Sequence, residues 1–181
     1  MKQVIHIFGA SGAGTSTLGR AFCERSGYFF MDTDDYFWLP TDPKFTVKRE
    51  KSERIALMKR DIDAHESIVI SGSLSGWGDE LIPTFTLAVR LVTDTETRIK
   101  RLKSRERERF GSRIETGGDM HGTHTAFIEW AGRYDNGGVD MRSRAMHDEW
   151  QKLLKCKIIT LDGSKDIVYN VTEIDKALFE R

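Results

Sequence analysis

Gly9-Ala10-Ser11-Gly12-Ala13-Gly14-Thr15-Ser16 is the stretch on which the fold turns. It fits the phosphate-loop pattern G-x-x-x-x-G-K-[S/T] at every defined position except the seventh, where Thr15 stands in place of lysine. Glycines let the backbone N–H groups of Gly9 to Gly14 converge on phosphate oxygens, and the start of a following helix adds partial positive charge. Thr15, Ser16 and Thr17 open that helix, and Ser16 occupies the hydroxyl position that ligates Mg²⁺. Three glycines in six residues exceed what a plain strand-to-helix turn needs. A sharper rival is a dinucleotide-binding turn, with Gly12 and Gly14 opening G-x-G-x-x-G and Asp32 or Asp34 meeting a ribose. Its third glycine falls on Thr17, and no Tyr-x-x-x-Lys follows, so an NAD(P)-binding protein is the minor alternative.

Outward from the loop, the chain alternates short apolar runs with longer helical patterns. "VIHIF" (4–8) predicts a strand running straight into the loop, and 15–27 predicts a helix with Leu18, Ala21 and Phe22 at helical spacing and Gly27 as its stop. "YFFM", "SIVIS", "TLAVRLV" and "KIITL" predict four more strands. Buried-type strands alternating with helices imply a parallel sheet covered on both faces, a three-layer α/β fold. The 181 residues read as one domain, 1–181, in which the glycine-rich stretch 111–140 is a flexible, lid-like insertion.

Composition narrows the function classes. Net charge is zero, with 39% hydrophobic and 31% charged residues, which gives no footprint for nucleic acid. Two cysteines make neither a disulfide framework nor a metal site. No apolar run approaches the roughly 18 residues of a membrane span, so the expectation is a soluble, cytoplasmic protein.

Two further groups carry chemistry. "MDTDDYFW" places Asp32 and Asp34 two apart at the end of the second strand, read as an extended segment that projects both carboxylates to one side. Mg²⁺ takes one or two carboxylates, and phosphoryl transfer needs a group to accept the proton of the attacking hydroxyl, so the pair divides these tasks. Eight basic residues lie between Arg98 and Arg113, among them Arg105 and Arg109, against Glu106 and Glu108. Most belong to a solvated helix face, but the run stops at the glycine-rich segment, as arginines at a lid hinge would. Arg142 and Arg144 stand on its far side. Asp119, His121 and His124 lack a fourth ligand and read as surface decoration.

The loop, the Asp-x-Asp after the second strand, the Arg-flanked lid and the late "LDGS" resemble a P-loop kinase of the nucleoside-monophosphate kinase and shikimate kinase superfamily, over nearly the whole chain. "DTDDYFWLPTDP", "SGSLSGWGD" and "MRSRA" are similar to a group of bacterial adenylate-kinase-like proteins with Thr in place of the loop Lys. The chain has Ser71-Gly72-Ser73-Leu74-Ser75 where adenylate kinases carry Asp-Gly-Phe-Pro-Arg, which argues against a usual AMP site. The resemblance implies a five-stranded P-loop fold, ATP and Mg²⁺ as cofactors, and a small-molecule phosphoryl acceptor. By the same resemblance Ser16 and Asp32 hold the metal, and Asp34 faces the acceptor. Arg113 and Arg144 match lid arginines that act with Arg109, and Arg105 joins the nucleotide site. Asp162, Gly163 and Ser164 lie in the loop that holds adenine. The expected source of the charge that Thr15 lacks is Arg113, with Arg109 or Arg144. The function so implied is an ATP-dependent small-molecule kinase, with a catalytically silent nucleotide sensor as the second alternative. No Asn-Lys-x-Asp segment is present to read guanine.

Overall fold

The computed structural model describes residues 2–180. Strands β1 (Gln3–Gly9), β2 (Phe29–Asp32), β3 (Ser67–Ser71), β4 (Leu87–Val92) and β5 (Lys157–Asp162) form one parallel sheet in the order β2-β3-β1-β4-β5. The strands fall where their apolar runs put them, because a parallel sheet covered on both faces buries nearly every side chain of its central strands. In β1, every residue from Val4 to Gly9 is buried. Alternate side chains feed opposite layers. Val4 and Phe8 pack with Met58, Ile62 and Trp150, whereas Ile5 and Ile7 pack with Leu18, Phe22, Val171 and Ile174. The first layer contains α3 (Lys51–Ala64) and α6 (Arg144–Gln151); the second contains α1 (Thr15–Ser26) and α7 (Ile167–Phe179). The fold is the expected three-layer P-loop arrangement. Its strand order is not the 3-2-1-4-5 of a dinucleotide-binding sheet, which removes the footing of the NAD(P) alternative.

Strands β1 and β4 are neighbours whose connections leave toward opposite edges, so a crevice opens beyond their carboxyl ends. Everything described below as the site gathers there. The long basic helix α4 (Thr95–Phe110) follows β4 and passes behind the glycine loop.

Two segments depart from expectation. Residues 33–37 are not extended but form a short helix, α2 (Thr33–Phe37). Asp32 is its N-cap, and its carboxylate accepts the Asp34 N–H at 3.1 Å, a bond that favours a helical start over a continued strand. Residues 111–140 are not merely a glycine-rich loop. They contain a 3-10 turn (Gly111–Ile114) and a three-turn helix, α5 (His121–Gly132). Gly, Thr and His give α5 poor intrinsic propensity, and tertiary contacts override it: Ala131 is buried, and its carbonyl accepts a bond from Arg98.

Candidate active site

The glycine loop is rigid because the chain beneath it leaves no choice. Gly12 (φ 81°) and Gly14 (φ 102°) adopt left-handed backbone, and a Cβ on Gly12 would lie 2.6 Å from the Arg98 carbonyl oxygen. The Ala13 carbonyl accepts from Thr93 Oγ1 at 3.0 Å and from Arg101 Nη1 at 3.3 Å. Gly14 caps α1 with no side-chain bond, and the first helical bond runs from Leu18 N to Gly14 O. The N–H groups of Thr15, Ser16 and Thr17 therefore have no acceptor within the helix, and the positive end of the helix dipole is left open. Such an end is suited to an anion.

The loop opens onto a cavity of about 540 Å³ that Gly9, Ser11, Gly12, Thr15 and Ser16 line from below. Asp32 and Asp34 line it from the β2 side. Ser16 Oγ donates to Asp32 Oδ2 at 2.9 Å, which puts a hydroxyl and a carboxylate oxygen side by side at the mouth of the loop. This pair of hard oxygen donors suits Mg²⁺, which keeps several waters and takes its remaining ligands from phosphate. Among the described residues no cluster of three or more His, Cys, Asp or Glu offers an all-protein metal cage. Asp34 sits deeper. Burial raises its pKa above the usual carboxylate range, the charge of Asp32 raises it further, and Arg142, Arg105 and Arg109 pull it back.

The arginines divide differently from the sequence expectation. Arg105 and Arg109 line the cavity, and so does Arg142, which stands just before Ser143, the N-cap of α6. Arg113 does not line it; its guanidinium is held by Asp119 (2.7 and 3.0 Å) and by Asp42 (2.8 Å). Arg144 is likewise held outside by Asp135, at 2.6 Å. In each case a nearby carboxylate fixes the fork of the guanidinium away from the cavity. Ala13, Gly14 and Thr17 lie in the loop or at the helix start without lining the cavity. Asp162, Gly163 and Ser164 form a turn beside the loop rather than in the cavity. Asp162 accepts from Ser164 N (2.8 Å) and Oγ (2.6 Å), and Arg101 joins the turn to the loop by donating to Gly163 O at 3.1 Å.

Two residues that the sequence names without a site role matter here. Arg142 was one arginine among many, although its place directly before a Ser N-cap and after a glycine-rich segment was a usable signal. Arg98 gave none, since a fully buried arginine cannot be told from its exposed neighbours on a charged helix. Its side chain has 0% exposure and ties three pieces together. It donates to Thr93 O (3.1 Å) and Ala131 O (3.2 Å), pairs with Asp135 (3.2 Å), and brings Nη1 to 3.5 Å from the Ser11 carbonyl oxygen.

Comparison with known proteins agrees with this geometry. The AAA domain family matches residues 5–120. The Bacillus subtilis (strain 168) protein YqaC is 43% identical over 174 residues, covering 96% of each chain. Among solved structures, a shikimate kinase from Bacteroides thetaiotaomicron superposes with a TM-score of 0.59 at 16% identity, over 97% of this chain and 98% of that one. A gluconokinase from Sinorhizobium meliloti 1021 superposes at 0.54 with 15% identity, over 98% and 95%. The chain belongs to the AAA domain family, and its fold is that of the P-loop kinases of the nucleoside-monophosphate and shikimate kinase type.

Proposed function

We propose that this protein is an ATP-dependent kinase that transfers the γ-phosphoryl group to a hydroxyl of a small molecule. The observation that carries the reading is that the uncapped N-terminus of α1, Asp34 and Arg142 meet at one cavity. An anion-binding helix end, a half-buried carboxylate of raised pKa and a convergent guanidinium are the parts phosphoryl transfer uses. The kinase folds that resemble this chain support the same class.

In this reading the open N–H groups of Thr15, Ser16 and Thr17 cradle the β- and γ-phosphates, and the turn Asp162–Ser164 borders the adenine. Ser16 and Asp32 would hold Mg²⁺, which supplies charge neutralisation on the phosphate oxygens when bound. Asp34 accepts the proton of the acceptor hydroxyl. The acceptor oxygen forms its bond to the γ-phosphorus as the bond from that phosphorus to the β,γ-bridging oxygen breaks, and ADP leaves with the electron pair. Arg142 and Arg105 donate to the γ oxygens as charge spreads over them and stand in for the lysine that Thr15 replaces. A guanidinium serves this role because it bridges two oxygens and stays charged at any working pH.

The test is ADP formation from Mg·ATP across a panel of small alcohols, run with wild type and Asp34→Asn. Turnover should fall by about 10²-fold or more in the variant while ATP affinity stays nearly constant. Because Asp34 must be unprotonated to accept, the acid limb of the wild-type rate profile should lie above the ordinary carboxylate range, activity falling as pH drops through it. ATP binding with no turnover on any acceptor, in wild type as in the variant, would replace the kinase reading with that of a nucleotide sensor.

A further inference from the structure

Aromatic rings line much of the cavity; Trp130 and Phe45 lie under Arg142 and Arg109, at 5.6 and 5.0 Å from guanidinium to ring centre. Phe37, Trp38 and Phe45 line the cavity from α2 and the loop that follows, and Phe110, Phe127 and Trp130 line it from α4 and α5. Two of the four tryptophans and four of the ten phenylalanines of the chain are thereby placed at one cavity. Core packing does not account for them: of the six, only Phe37 packs against a core cluster. The other five are half-buried and line the cavity, and of these Trp38, Phe110 and Phe127 have no guanidinium over a face among the described residues. Phe127 and Trp130 stack on one another at 6.0 Å between centroids, and Trp38 meets Phe45 edge-on at 6.3 Å. Phe45 is also the one non-glycine among the described residues with positive φ, 64°. That conformation is strained for an aromatic residue and persists where surrounding structure requires it.

Resting on the kinase reading, we infer that the phosphoryl acceptor is an alcohol built on a flat aromatic ring, a nucleoside or a hydroxymethyl-substituted heterocycle, and not a polyol. Uncovered aromatic faces gain most from a partner that is itself flat and apolar on its faces. A polyhydroxylated acceptor laid against these rings would lose water from every hydroxyl that faces a ring and could recover bonds only where one reached Lys44, Lys48, Thr123 or His124. A ring alcohol divides its demands as the site does, with one hydroxyl toward Asp34 and the flat body among the aromatics. This would separate the chain from its structural neighbours named for shikimate and gluconate, whose fold it shares.

The experiment measures binding and transfer separately. Adenosine, cytidine, thymidine and pyridoxine are titrated against the protein by tryptophan fluorescence, beside shikimate and gluconate, and each is then offered with Mg·ATP. Saturable quenching by at least one ring alcohol and none by the two polyols is expected. Trp38→Ala and Phe127→Ala should each weaken that ring alcohol about tenfold, with Trp38→Phe recovering most of the loss and ATP affinity changing less than about twofold. If shikimate or gluconate is phosphorylated and no ring alcohol binds, the inference is overturned while the kinase reading stands. If a ring alcohol binds with that aromatic dependence but receives no phosphate, the ring subsite stands and the kinase reading fails. Absence of binding by every ring alcohol in the panel also overturns the inference.

Discussion

At the scale of single residues the open question is the charge that Thr15 does not carry. A preorganised donor of this kind is worth about 2.7–4 kcal/mol in the transition state, or 10²–10³ in rate, and a threonine hydroxyl supplies hydrogen bonding without charge. Arg142 lines the cavity beside Asp34, whereas Arg113 spends its guanidinium on Asp42 and Asp119. Arg142→Ala should therefore lower turnover by about 10²-fold or more with little change in ATP affinity, and Thr15→Lys added to it should restore part of the loss. Arg113→Ala should keep turnover within a few-fold of wild type. The reverse pattern, collapse in Arg113→Ala and a mild Arg142→Ala, would return the role to the lid hinge. The glycine frame, Ser16 and both acids could be read from sequence because their chemistry sits in a contiguous motif. The division of labour among arginines could not, because it depends on which carboxylates lie nearby in space, and Asp42, 71 residues from Arg113, is invisible to any local pattern.

At the scale of elements, the five strands and helix α1 follow from apolar runs, periodicity and stop signals, which act locally. The two helices that differ from expectation, α2 and α5, are set by single tertiary or capping contacts. Asp32 turns the chain into α2, and Arg98 receives the end of α5. That contact can be probed through its partner. Asp135 accepts from Arg98, Arg144 and Thr95, so it holds a fully buried cation in place. Asp135→Asn should cost about 1–2 kcal/mol, less than a wholly buried pair because Asp135 keeps contact with water. The loss should register as a lower urea midpoint and as faster amide exchange at the carboxyl end of α5. Unchanged exchange there would show that α5 is held by packing alone.

At the scale of the whole molecule, two histidines sit in the core where no charge is tolerated. His6 stacks on Phe85 at 4.9 Å and on Phe8 at 5.4 Å, and neither of its ring nitrogens has a partner. His147 bonds to Ser73 Oγ and to Tyr134 Oη, both at 2.9 Å. Burial holds each pKa down to about 3, with His147 adding to the effect at His6 and Arg142 adding to it at His147. Unfolded histidine titrates near 6.5, so below that pH the unfolded chain binds protons the fold refuses. Stability is thus fully present above about pH 6.5 and drains away as pH falls toward 3. Urea midpoints taken from pH 7.5 down to 4.5 should decline steadily, and His6→Phe should shallow the slope; a flat series would mean that the histidines find partners on protonation. The way Arg98 grips the carboxyl end of α5 has a mechanical consequence as well. A twelve-residue helix is about 18 Å long at 1.5 Å per residue. It is tied at both ends, at Ala131 by Arg98 and at the other by buried Met120, whose N–H donates to the Arg113 carbonyl at 2.9 Å, so it sits along the cavity as a strut. Phe127 and Trp130 ride on that strut, so whatever enters the cavity meets two rings whose spacing is fixed by the backbone that carries them.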